Sequence, residues 1–361
     1  RIVRDRVVLG GRDVLGDVEE GRVSSPLPID PWPGRFVDLP EGQVYVRFAD
    51  ATGQASGADV EPVLLVHGLG GSATNWTDLM DLLSGPHAPA AGPPSPRLSC
   101  AALDLPGFGF SPPGQGGYSI RAHARTVISL IEHLGTAPTH LIGNSMGGAV
   151  IAKVAAHRPD LVRSLTLVSP ALPDLRPRPL PLRLMVVAAP GIGPALLDRI
   201  ARQPAADRTD MSIRELYADP ALMHPLRRDQ EVAELLRRDG LGYAGTALIG
   251  SARSLIAEYF KVGRRSLWRD AEATTAPALI LHGSSDRLVN PVMAVKAARS
   301  FRAARVVVFP QVGHVAMMER PGCVATEIRS FLDSVRLGGD LAAELEGLAT
   351  SAQPGLTCRE H

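Results

Sequence analysis

The sequence predicts an α/β protein with a doubly wound, mostly parallel sheet of eight strands, interrupted by one helical insertion. Three observations predict it. Six short, continuous apolar runs recur along the chain, as parallel strands buried on both faces require. Segments with apolar residues at helical spacing stand between them, so strand and helix alternate and the crossovers cover both faces of the sheet. The alternation lapses once, between Pro170 and Ala276, and then resumes.

The elements follow in chain order. Up to Pro33 the chain is rich in Gly, Pro and charge without a sustained period, which predicts a surface arm over 1–34. Residues 36–39 and 44–48 come next, the second stretch alternating apolar and polar, as in an antiparallel edge hairpin with one wet face. The continuous runs are 63–66, 99–103, 140–142, 165–168, 278–281 and 306–309, and helical spacing marks 76–83, 120–134, 146–157 and 292–301. The core is therefore expected over 35–170 and 277–337. The stretch 171–276 has helical patches at 232–238 and 251–260 and Pro-rich joints at 176–181. It is too long and too apolar for a plain loop, so a helical insertion on top of the sheet, after the sixth strand, is expected. Residues 338–361 read as a C-terminal tail, and no internal repeat is present.

Composition excludes several classes. With 45% hydrophobic and 21% charged residues and a net charge of +1, the 361-residue chain is not a disordered one. Near-neutral charge and 4% aromatic residues argue against a nucleic-acid partner, which would require a basic face and stacking platforms. Cys100, Cys323 and Cys358 cannot all pair with one another and are too far apart for a metal cluster. No disulfide framework, a reducing compartment and a cytoplasmic location are the expectation. The longest apolar stretch, 184–197, is broken by Pro190, Gly191, Gly193 and Pro194. It falls short of the roughly 20 residues that cross a bilayer. The charged start at Arg1 leads into no apolar signal core, and a start other than Met leaves removal of an upstream segment open.

One apolar run ends at Gly143-Asn144-Ser145-Met146-Gly147-Gly148, which fits G-x-S-x-G between a strand and a helix. A sharp strand-to-helix turn forces the central residue into strained backbone angles, and side chains two positions to either side would collide. Ser145 then stands above the sheet, and the helix starting at Met146 aims its amides and dipole at any oxyanion formed there.

A serine hydroxyl needs a base, and the base needs an orienting carboxylate. Both follow on loops at carboxyl ends of strands, where sites of open α/β sheets assemble. Asp286 lies in His282-Gly283-Ser284-Ser285-Asp286, and His314 in Gln311-Val312-Gly313-His314. Competing readings are Asp286 as a cap for the helix near Pro291, His314 as a surface histidine and Asp174 as the acid. His282 ends a buried strand and reads as the source of a structural hydrogen bond.

Near the front, His67-Gly68-Leu69-Gly70-Gly71-Ser72 can turn tightly and bring the Leu69 amide beside the Met146 amide. Two such donors form an oxyanion hole. A phosphate-cradling loop competes for these glycines, but the P-loop Lys and the Ser or Thr after it are missing. His67 is expected to shape the loop.

These motifs resemble the α/β-hydrolase superfamily over residues 37–337. His67-Gly68-Leu69-Gly70 resembles its oxyanion loop, and Asp104-Leu105-Pro106-Gly107-Phe108-Gly109-Phe110-Ser111 the turn after the next parallel strand. Residues 143–147 resemble the nucleophile elbow, Gly283-Ser284-Ser285-Asp286 the acid loop, Gly313-His314 the histidine loop and Glu319-Arg320-Pro321 the start of the last helix. The resemblance implies the α/β-hydrolase fold, with Ser145 as nucleophile, His314 as base and then acid, and Asp286 holding its tautomer. It also implies an oxyanion hole from the Leu69 and Met146 amides, Asp104 as a structural tie, no cofactor or metal, and a lid at 171–276.

The fold by itself selects no substrate. Dehalogenase and epoxide-hydrolase relatives carry Asp at the elbow, unlike Ser145. Leu69-Gly70-Gly71 differs from the Ser-Gly-Pro loop of carbon–carbon bond hydrolases and the Gly-Gly-Pro loop of proline iminopeptidases. Carboxylic ester hydrolysis through an acyl-enzyme is the first reading. Carbon–carbon bond hydrolysis, cofactor-free perhydrolase or haloperoxidase chemistry, peptidase activity and a non-catalytic ligand-binding role are the alternatives. The apolar patch 184–192, with Leu184 and Met185, together with Val315, is expected to line an acyl pocket, and the patch to touch a lipid surface transiently. Docking of the lid on the core is the competing reading. The expected partner is a small, lipophilic, medium-chain or monoacylglycerol-like ester, and the oligomeric state is left undecided.

Overall fold

One eight-stranded sheet carries the chain, in the order β1-β2-β4-β3-β5-β6-β7-β8. The strands are β1 (Gly34–Leu39), β2 (Gly42–Phe48), β3 (Val60–Val66), β4 (Arg97–Leu103), β5 (Thr139–Asn144), β6 (Val162–Val168), β7 (Ala278–Gly283) and β8 (Ala304–Phe309). β1 pairs antiparallel with β2, and β2 with β4, whereas every other pairing is parallel. The expected edge hairpin and doubly wound sheet are therefore both present. The computed structural model describes residues 29–49, 60–85, 88, 97–174, 185–263 and 266–337. Leu184, residues 1–28 of the expected arm and the tail from 338 lie outside the described residues.

The helices are α1 (Thr77–Ser84), α2 (Ile120–Leu134), α3 (Met146–His157), α4 (Ile192–Ala201), α5 (Ala205–Leu216), α6 (Pro225–Asp239), α7 (Ala244–Tyr259), α8 (Leu267–Ala273), α9 (Val292–Ser300), α10 (Ala316–Glu319) and α11 (Pro321–Arg336). Side chains alternate across the strands, so each parallel strand feeds two cores. Leu64, Val66, Leu141, Leu165 and Ile280 pack on one face with α2, α3, α8 and α9. Val63, Leu65, Ile142, Leu279 and Leu281 pack on the other with α1, α10 and α11. Each large aliphatic side chain so buried contributes about 1.5–3 kcal/mol.

Local chemistry sets the helix ends. The Ser119 hydroxyl accepts the Ala122 N–H (3.0 Å) at the start of α2, and Gly135 ends it in the left-handed conformation with φ 63°. Ile120, Val127, Leu130 and Ile131 form its buried face, while Arg121, Arg125 and Glu132 face solvent.

Between β6 and β7 the chain forms α4 to α8. Of these, α8 buries Leu267 and Ala271 in the core beside α3 and so belongs to the core layer, although it lies inside the expected insertion. Ile213 and Tyr217 join one core and Leu255 the other, so the insertion rests on the sheet domain from both sides. No described helix is long and apolar enough to cross a membrane. Cys100 is buried, and Cys323 is disulfide-bonded. That disulfide weighs against the reducing compartment expected from the three cysteines.

Candidate active site

Ser145 stands between β5 and α3 with φ 52° and ψ −113°. A non-glycine residue in such a region costs on the order of 1–3 kcal/mol, so its surroundings must hold it there. The Ser145 N–H donates to the Val168 carbonyl (3.0 Å), and its own carbonyl accepts N–H groups from Ala171 (3.0 Å) and Ala149 (3.3 Å). The flanking glycines answer to close approach. A Cβ on Gly143 would lie 2.6 Å from the Gly147 carbonyl, and one on Gly147 would lie 2.2 Å from the Val66 oxygen. The turn exists because β5, α3 and β3 meet without side chains there.

Asp286 and His314 meet above the ends of β7 and β8. Asp286 Oδ2 accepts from His314 Nδ1 at 2.8 Å, and both side chains are buried. Asp286 Oδ1 accepts the N–H groups of Leu288 (2.8 Å) and Val289 (3.0 Å). Helix α9 starts after Pro291 with no side-chain cap, so Asp286 closes its own turn and does not cap that helix. Burial pushes the Asp286 carboxyl up, but the His314 charge and hydrogen bonds from His282 and His314 outweigh it and hold it well below the usual carboxylate range. Asp174, the alternative acid, lies near Tyr259.

Asn144 links the histidine loop to the elbow, its Nδ2 donating to the carbonyls of Val168 (3.1 Å) and His314 (3.3 Å). The Ser145 hydroxyl makes no hydrogen bond to His314 in this structure. A catalytic base commonly draws up to its nucleophile only in the substrate complex.

The glycine-rich loop after β3 runs against Ser145. A Cβ on Gly68 would sit 3.2 Å from Ser145 Cβ, and Gly70 takes φ +77°. His67 Nε2 accepts the Leu105 N–H (3.0 Å), so its Nδ1 carries the proton and donates to the Gly68 carbonyl (2.7 Å). Burial lowers the His67 pKa to about 4, against that hydrogen bond, and keeps the ring neutral near neutrality. Asp104 accepts N–H groups from Ala73 (2.6 Å) and Phe110 (2.8 Å) and ties this loop to the turn after β4. Burial raises its pKa to about 6 in spite of those two bonds.

The remaining expected residues occupy varied settings. Met146 is fully buried at the first position of α3, and Leu69 is half-buried against the same core. Val315 is 5% exposed and packs within the core that includes Tyr217 and Met317, whereas Met185 is 41% exposed on a helical turn at 185–188. Among the described residues no three His, Cys, Asp or Glu side chains converge to hold a metal ion.

Two residues read from the sequence only as structural, His282 and Glu319, touch the site. His282 Nε2 lies 3.2 Å from Asp286 Oδ2. Glu319, buried on α10, accepts the Gly313 N–H (2.7 Å) from the histidine loop and those of Ala218 (3.1 Å) and Asp219 (3.1 Å) from the insertion. The His314 N–H itself donates to the Leu216 carbonyl (2.7 Å). A carboxylate five residues past His314, closing a short helix just before Pro321, is the available signal for this role of Glu319.

Comparison with known proteins places this geometry in context. A family model described as alpha/beta hydrolase fold matches residues 61–321. The dihydrolipoyllysine-residue acetyltransferase component of the acetoin cleaving system from Pseudomonas putida is 30% identical over 284 residues, covering 75% of this chain. The chain spans 63% of that relative's length. A pimeloyl-[acyl-carrier protein] methyl ester esterase from Neisseria meningitidis is 28% identical over 83% of this chain and 84% of its own. The crystal structure of a bacterial membrane phospholipase A superposes with a TM-score of 0.65 at 25% identity, covering 84% of this chain and 86% of its own.

Proposed function

The chain belongs to the alpha/beta hydrolase fold family, and from that membership we propose that it is a serine hydrolase that cleaves carboxylic esters through an acyl-enzyme. The observation that carries the reading is the buried Asp286–His314 contact of 2.8 Å, joined through Asn144 to a serine on a strained elbow. In this reading His314 Nε2 takes the Ser145 proton as the hydroxyl attacks the ester carbonyl, and Asp286 holds the ring with Nδ1 protonated and stabilises the imidazolium that forms. The tetrahedral oxyanion faces the Leu69 and Met146 amides at the N-terminus of α3. Collapse expels the alcohol, which takes its proton from His314, and a water activated by the same ring then releases the acid. No cofactor is needed for any step.

The insertion is proposed to be a lid over the site that lines an acyl pocket with Met185, together with Val315, and to favour lipophilic acyl esters. Met185 (41%), Val186 (48%) and Ile192 (60%) are exposed together at its start, which supports transient contact with a lipid surface. The esterase and phospholipase relatives act on acyl esters by name, which supports the same substrate class. A fluorophosphonate probe should label the wild type and lose labelling in Ser145→Ala. A panel of p-nitrophenyl esters should then favour octanoate, and preference for acetate would count against the lipophilic pocket.

A further inference from the structure

Helix α6 lays a polar face along the loops that flank the nucleophile. Arg227 binds the Asp78 carboxylate on α1 and Arg237 the Gly109 carbonyl of the turn after β4. Two further contacts reach the glycine-rich loop itself. Arg238 Nη1 donates to the Gly70 carbonyl (2.7 Å). Glu231 Oε1 accepts from Asn75 Nδ2 (3.0 Å), and Asn75 Oδ1 in turn accepts the Ser72 N–H (3.0 Å).

The loop depends on these contacts for its outer side. Toward the sheet, Gly68 abuts Ser145, and His67 and Asp104 tie the neighbouring backbone. Away from it, a Cβ on Gly70 would meet only Leu248 Cδ1 (3.6 Å) and Arg238 Nη1 (3.8 Å), both from the insertion. With glycine at 68, 70 and 71, the loop has no side chains there to fix its course. An oxyanion donor works by standing in place before the charge develops, and a misplacement of about 1 Å can cost about a hundredfold in rate.

We propose that α6 sets the position of the Leu69 amide, with Arg238 and Glu231 as positioning residues for the oxyanion hole. The inference rests on the serine-hydrolase reading. It gives the insertion a part in catalysis, because α6 binds the loop that carries the donor beside Ser145. Burial and the Glu234 charge raise the Glu231 pKa to about 7, while Arg238, the Asn75 hydrogen bond and Arg227 pull it down. Either protonation state keeps an oxygen that can accept from Asn75, so glutamine preserves the contact and alanine removes it.

The test compares Arg238→Ala, Glu231→Ala and Glu231→Gln in the full chain, with p-nitrophenyl octanoate as substrate and an aliphatic trifluoromethyl ketone as the inhibitor whose adduct places an oxyanion in the hole. Both alanine variants should lose about tenfold in kcat, hold KM within about twofold, and weaken ketone binding by the same factor as kcat. Glu231→Gln should retain kcat and Tm, whereas in the alanine variants ketone binding should fall with kcat even after any loss of Tm is taken into account. Asn75→Ala carries the same expectation from the loop side and keeps the test open if a change in α6 unfolds the insertion. Unchanged kcat in both alanine variants overturns the inference, as does a loss that follows Tm and leaves ketone binding intact. Turnover that survives in Ser145→Ala sinks the serine-hydrolase reading instead.

Discussion

His282 Nε2 lies 3.2 Å from Asp286 Oδ2, the same carboxylate oxygen that accepts from His314 Nδ1 at 2.8 Å. With Oδ1 occupied by the Leu288 and Val289 amides, the buried carboxylate is held on both oxygens and cannot swing away from His314. Replacing His282 by Phe removes one donor from a buried anion and should cost roughly 1.5–3 kcal/mol in urea unfolding. Turnover should fall with it, by less than in any variant of Asp286 itself. Full stability in His282→Phe would show that the 3.2 Å approach contributes nothing.

Asp286→Asn separates orientation from packing. The amide fills the same space, but where its Nδ2 replaces Oδ2 it has no lone pair for the His314 Nδ1 proton, so the ring turns to the wrong tautomer. We expect kcat to fall by about three to four orders of magnitude with the fold intact. Esterase turnover and far-UV circular dichroism check the two halves. A loss under tenfold would remove Asp286 from the proposed triad.

The parts of this protein that the sequence delimits well are those where one local rule decides the outcome. Helices α2 and α3 begin and end where their periodicity does, because Ser119, Gly135 and the elbow at Ser145 terminate them locally. Strands β3 and β4 run beyond their apolar cores to Val60 and Arg97, since ladder pairing continues through residues that are not apolar. Helix α6 is longer than the 232–238 patch for a related reason. It docks through Arg227, Glu231, Arg237 and Arg238, and apolar spacing cannot register a buried face made of charges. The same limit applies to the site. Ser145, Asp286 and His314 carry local motifs, whereas Glu319 gains its role from Ala218 and Asp219, about a hundred residues away and joined to it only by the fold.

Glu319 provides a direct check of that tertiary link. Its carboxylate accepts N–H groups from Gly313, Ala218 and Asp219, and a Cβ on Gly313 would lie 2.3 Å from the Leu216 carbonyl, so the histidine loop and insertion are in close contact. In Glu319→Gln one oxygen becomes an NH2 that cannot accept, leaving part of that backbone unsatisfied in a buried place. The expected cost is roughly 1–3 kcal/mol in urea unfolding, with a lower kcat and little change in KM as His314 loses its fixed approach. Wild-type kcat at full stability would mean that the loop stands without the carboxylate.

His67 gives the clearest dependence on pH. Its ring is fully buried, donates to the Gly68 carbonyl and accepts from Leu105, and burial places its pKa at about 4, below the 6.5 of an ordinary histidine. Between those values the unfolded chain takes up a proton that the folded one refuses. The stability associated with the neutral ring is thus fully present above pH 6.5 and is lost as the pH falls toward 4. His123, lowered to about 3, and His140, also lowered by burial, act in the same direction, while Asp104 and Glu231, raised to about 6 and about 7, act in the opposite one, so the wild-type curve alone mixes several groups. His67→Gln isolates the single site, since glutamine can both donate and accept but does not titrate. Urea unfolding of both proteins at pH 7 and pH 5 should show the wild type losing about 2 kcal/mol relative to the variant on acidification. An equal response of the two proteins would mean that His67 takes up its proton in the folded state as readily as in the unfolded one, and that the loop beside Ser145 admits a charged ring.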